Sequence, residues 1–187
     1  MRTIIPLLVL PLVASIPAIA AETVPVAPFN SVELRGGGQI TVRPGPVQRI
    51  TILDGSTAFT HVYMASDRRL RIDVCNNRCP RHYRLRVEVQ SPNAPDLAVS
   101  GGGAIAVAGG YRPQPRLAAA VNGGGSIDAR ALSAANVSAA VNGGGNVVVN
   151  AQRSLSAAVN GGGAVRYIGN PRVSMAVRGG GMVGPAK

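Results

Sequence analysis

The chain has no tryptophan, few other aromatics, one lysine (Lys187), two cysteines and two histidines in 187 residues, and only eight carboxylates. Scarce aromatics leave little with which to stack exposed bases, so a nucleic-acid partner is not expected. From Leu97 onward there is one carboxylate, Asp128, and no histidine or cysteine. Glycoside hydrolysis needs a paired acid and base or nucleophile, and that half of the chain cannot supply the pair. The other acids, Glu22, Glu33, Asp54, Asp67, Asp73, Glu88 and Asp96, are scattered among ten arginines without a recognisable nucleophile-base spacing. No catalytic residue is assigned; activity on glycans that is lost when Asp67 and Asp73 are neutralised together would revive an enzyme reading. The chain is expected not to be an enzyme and to carry no cofactor.

Residues 1–20 join Met1 and Arg2 to an apolar run from Ile4 to Ile19 and end in Ala18-Ile19-Ala20, the layout of a secretory signal peptide. The run is short for a membrane span and is broken by Pro6, Pro11 and Pro17. Removal leaves residues 21–187, enough for a single domain, with no later stretch long and apolar enough to cross a bilayer. The remaining 18 basic and 8 acidic residues give a net charge of +10, which favours polyanionic neighbours.

Cys75 and Cys79, in an exported chain, most simply form one disulfide across the turn-prone Asn76-Asn77-Arg78. With His61 and His82 they are also the only soft metal ligands, but export favours oxidation and His61 is distant in sequence, so no metal site is assigned.

Gly-Gly-Gly occurs at 36, 101, 123, 143, 161 and 179, the last five at intervals of 22, 20, 18 and 18 residues. Two positions before each triplet stand Leu34, Val99, Val121, Val141, Val159 and Val177. Four positions after its start stand Ile40, Ile105, Ile127, Val147, Val165 and Val183. Further apolar columns lie two residues apart, the period of a strand. Each repeat reads as strand, glycine corner, short strand and variable loop. One such unit cannot bury its apolar stripe alone, so like units must stack. The expected fold is all-β, a single-stranded parallel β-helix (β-solenoid) with glycine-cornered rungs: irregular over 29–96, regular over 97–183. Gly101, Gly123, Gly143, Gly161 and Gly179 make its corners, where φ above zero and close approach exclude a β-carbon. Asn122, Asn142 and Asn160 precede three corners and suit a hydrogen-bonded ladder.

The triplets are not phosphate loops: they lack the downstream Gly-Lys-Ser/Thr and open no helix. Between Arg68 and Arg86 lie seven arginines. With Leu70, Ile72, Val74, Leu85, Val87 and Val89 facing inward, Arg69, Arg71, Arg84 and Arg86 project outward. If their strands are neighbours they form a basic patch for anionic envelope glycan or lipopolysaccharide.

The segments "AAVNGGGSI", "AAVNGGGNVVV", "AAVNGGGAVRYIGNP" and "FNSVELRGGGQITV" resemble the head GIN domain family, described as putative auto-transporter adhesins and also catalogued as a domain of unknown function. The resemblance spans roughly 29–183, and Val165-Arg166-Tyr167-Ile168-Gly169-Asn170-Pro171 has the family's closing shape. It implies a right-handed parallel β-helix in a periplasmic, surface or secreted protein of Gram-negative bacteria, without enzymatic activity. This sequence departs in using Gly-Gly-Gly where many members have Gly-Ser-Gly, and in its arginine-rich Cys-x-x-x-Cys insert. The leading expectation is thus an exported, non-catalytic structural or binding protein of adhesin type, presenting a basic face to glycan, lipid headgroup or protein. The alternative is a polysaccharide-active enzyme on the same scaffold. A third reading is a self-assembling homo-oligomer, because an uncapped end exposes strand edges.

Overall fold

The structure is a computed structural model and describes residues 21–75 and 79–186. The expected signal peptide at 1–20 lies outside the described residues. In chain order the strands are β1 (Glu22–Val24), β2 (Ser31–Gly36), β3 (Gln39–Pro44), β4 (Arg49–Asp54), β5 (Thr60–Met64), β6 (Arg69–Val74), β7 (Arg86–Ser91) and β8 (Asp96–Gly101). They continue with β9 (Ala104–Val107), β10 (Gln114–Gly123), β11 (Ser126–Gly143), β12 (Asn146–Asn160), β13 (Ala164–Ile168), β14 (Arg172–Arg178) and β15 (Met182–Pro185). One 3-10 turn, Ser66–Arg68, joins β5 to β6.

All fifteen strands belong to one sheet, which wraps barrel-like around a single apolar interior. The pairing corrects the expected right-handed single-stranded parallel β-helix, or β-solenoid. The sheet is mixed: β1 with β4, β4 with β7, and β5 with β6 run antiparallel. Nor do the strands stack in chain order, since β2 lies between β6 and β8 and β3 lies between β7 and β9. The physical cause is two reversing turns where a glycine corner would carry the chain forward. Pro44-Gly45-Pro46 turns the chain before β4, and the Ser66–Arg68 turn folds β6 back on β5, with Asp67 at φ 62° and Arg68 at φ 55°.

In the later repeats the triplets set a parallel register. Val121 pairs with Val141, Val141 with Val159, and Val159 with Val177, while Gly123 pairs with Gly143. The inward columns are buried: Val121, Val141, Val159, Ile127, Val147 and Val165 are at most 1% exposed. Each such side chain contributes about 1.5–3 kcal/mol by leaving water. The column ends at β14, where Val173, Met175 and Val177 are exposed. No helix among the described residues is long and apolar enough to cross a membrane.

Candidate anion-binding site

The four arginines expected to form one patch lie on two different parts of the sheet. Arg69 and Arg71 are on β6, which bonds to β2 and β5. Arg86 opens β7, which bonds to β3 and β4, and Arg84 lies two residues before it.

On β6 both guanidiniums are ion-paired to one carboxylate. Glu33 of β2 stands opposite Arg71 in register and is only 7% exposed. Arg71 Nε donates to Glu33 Oε2 at 2.9 Å, Arg69 lies 3.5 Å from the same oxygen, and Ser100 Oγ donates to Glu33 Oε1 at 3.3 Å. The hydrogen bond to Glu33 leads the causes that hold Arg71 above its ordinary pKa, with Tyr63 adding to it. Asp73 is engaged by the Tyr63 hydroxyl, which donates at 3.1 Å, and by Arg35 at 3.8 Å. Three guanidiniums, Arg35, Arg69 and Arg71, thus share two carboxylates, and each is ion-paired.

Arg84 and Arg86 differ: both are exposed, and neither is ion-paired among the described residues. They border an open cleft of about 580 Å³ together with Gly37, Gly102, Tyr83 and Asp54. Gly37 and Gly102 present bare backbone, with nothing within 4 Å of where a β-carbon would stand. The wall is held by Tyr83. Its hydroxyl accepts from Ser56 N at 3.0 Å, donates to Ser56 O at 3.1 Å and lies 2.6 Å from Thr60 Oγ1. Its ring meets Phe59 edge-on, with centroids 5.5 Å apart. A tyrosine so anchored fixes the backbone from which Arg84 and Arg86 project. Two guanidinium forks over exposed glycine backbone suit a carboxylate or phosphate.

Cys75 and Cys79 form a disulfide, which removes both thiols as metal ligands. Gly101, Gly123, Gly143, Gly161 and Gly179 all have φ between 99° and 123° and stand at corners between strands. Asn142 Nδ2 donates to Asn122 Oδ1 at 3.0 Å along the asparagine column. The roles of Glu33 and Tyr83 were not read from the sequence. Glu33 sits between inward Val32 and Leu34, so its spacing marks it only as outward-facing.

Residues 115–171 match the family described as "Putative auto-transporter adhesin, head GIN domain", so the resemblance carried by the glycine-triplet segments holds over that stretch. In fold the chain is similar to a putative adhesin from Bacteroides fragilis, at 19% identity and a TM-score of 0.56, covering 89% of this chain and 96% of that one. A putative adhesin from Parabacteroides distasonis is similar at 18% identity and a TM-score of 0.46, covering 89% and 96%. No curated protein matched the sequence.

Proposed function

We propose that this chain is an exported, non-catalytic protein of the envelope or surface of a Gram-negative bacterium. It holds an anionic glycan, or the phosphorylated sugars of lipopolysaccharide, in the cleft beside Gly37. Arg84 and Arg86 supply the charge recognition and the glycine backbone lets the ligand approach closely. The observation that carries this reading is the placement of two exposed guanidiniums, neither of them ion-paired among the described residues, at the edge of an open cleft floored by bare glycine backbone. The adhesin description of the matching family supports binding as the role. Glycoside hydrolysis would need paired carboxylates, and the cleft lining has one, Asp54.

The test is calorimetric titration with polygalacturonate, with a neutral glucan of matched length, and with lipopolysaccharide. Arg84→Gln with Arg86→Gln should weaken polygalacturonate binding by at least about tenfold, since each guanidinium contributes a charge-assisted contact. Arg69→Gln with Arg71→Gln should leave binding unchanged. Equal affinity for the neutral glucan, or an unaffected Arg84/Arg86 variant, would refute the site. Preference for lipopolysaccharide over polygalacturonate would identify the lipid-borne source.

A further inference from the structure

Among the described residues nothing covers the interior column at β14. Val173, Met175 and Val177 of β14 lie in register with Leu155, Ala157 and Val159 of β12. Those three are 1–3% exposed, whereas Val173, Met175 and Val177 are 37%, 63% and 40% exposed. Exposed Met182 of β15 belongs to the same end.

Among the described residues, β14 bonds only to β12 and β15 only to β13, so each has one unpaired edge. Gly161 N donates to Arg178 O at 2.8 Å, so the backbone of Arg178 points toward β12. Backbone direction alternates along a strand. Arg172, Ser174, Ala176 and Arg178 therefore bond inward to β12, and Val173, Met175 and Val177 turn their N–H and C=O groups to the open edge.

Read along β14, Arg-Val-Ser-Met-Ala-Val-Arg is nearly its own reverse about Met175. We infer that this end is the interface of a symmetric dimer, in which a second copy of the chain pairs β14 antiparallel to β14 about a two-fold axis through Met175. In that register Met175 faces its own copy and Val173 faces Val177. All three open residues then form bonded pairs, giving about six new N–H···O bonds. An isologous contact of this kind closes and does not propagate.

The area is sufficient but small. Seven residues of strand run about 23 Å, and two sheet layers about 10 Å apart with their outward side chains span about 20 Å, giving on the order of 1,000 Å² for both copies, near the lower limit for a specific interface. Charge gives the inference a sign. Arg172 of one copy faces Arg178 of the other on the outer surface, so salt should screen a repulsion and tighten the dimer. An acidic strand from another protein on the same edge would be weakened by salt.

Sedimentation velocity of the purified protein, from dilute to concentrated and at low and high salt, tests this. The expected result is a monomer–dimer equilibrium that stops at dimer and shifts toward it with salt. Met175→Lys, at an exposed position, should weaken association by at least about tenfold while leaving the circular dichroism spectrum unchanged. Met175→Cys, oxidised, should give one covalent dimer, because bonded antiparallel pairs place Cα atoms about 5.5 Å apart, within disulfide reach. A monomer at every concentration with no cross-link overturns the inference. So do open-ended filaments, or association that salt weakens.

Discussion

Gly143 stands directly over Gly123: a β-carbon on Gly143 would lie 2.6 Å from the Gly123 carbonyl oxygen, and the residue has φ 118°. The neighbouring Gly144 is different, with nothing within 4 Å of its β-carbon position. Gly143→Ala should therefore cost roughly 2–4 kcal/mol through backbone strain and steric displacement of the strand below. Gly144→Ala should change stability by no more than about 1 kcal/mol, in either direction. Urea denaturation of the two variants is the measurement, and equal losses would remove the stacking argument.

The disulfide should be a modest staple. Its cysteines are four residues apart, and a loop that short restricts the unfolded chain by about 2 kcal/mol. Cys75 also has φ 66°, a region side chains seldom adopt, so breaking the bond relieves part of its own cost. Reduction, or replacement of both cysteines by serine, should lower stability by about 2 kcal/mol or less, with the fold retained. Unfolding of the whole domain on reduction would show that the segment anchors more than its own turn.

What was legible in the sequence follows its periodicity. Val121, Val141, Val159 and Val177 could be placed on one ladder because branched aliphatics recur at fixed offsets from glycines whose positive φ allows few substitutes. The antiparallel ends were not legible. At Asp67 and Arg68 two residues with β-carbons take positive φ, and their composition gives no sign that the chain reverses there. The site shows the same limit. Arg84 and Arg86 could be seen as outward-facing charges, but the separation of β6 from β7 depends on that reversal. The pairing of Glu33 with Arg71 is a cross-strand relationship between residues 38 apart, and no local pattern encodes it.

That pairing yields a stability prediction. Glu33 faces Arg71 and Arg69 from a largely buried position. Glu33→Gln keeps the shape but removes the charge, leaving two guanidiniums beside a neutral amide. The cost should be roughly 1–3 kcal/mol, and larger than that of Glu88→Gln, whose side chain is more exposed beside Arg43. Equal effects of the two substitutions on the urea midpoint would show that burial adds nothing to the Glu33 cluster.

Tyr111 predicts how the protein responds to alkali. Its hydroxyl is buried without a hydrogen-bond partner among the described residues. Burial pushes its pKa up to about 12, with Arg43 only partly opposing the shift. An unfolded tyrosine ionises near pH 10. The folded state therefore favours the protonated phenol: the contribution is fully present below about pH 10 and is lost as pH rises through about 12. The denaturation midpoint should fall across that window, and less steeply in Tyr111→Phe, which retains the ring and cannot ionise. Tyrosinate absorbance should show the same residue directly, with one titration later than the unfolded range that disappears in the variant. If the wild type and Tyr111→Phe lose stability along the same curve, the phenol is not held neutral by its surroundings.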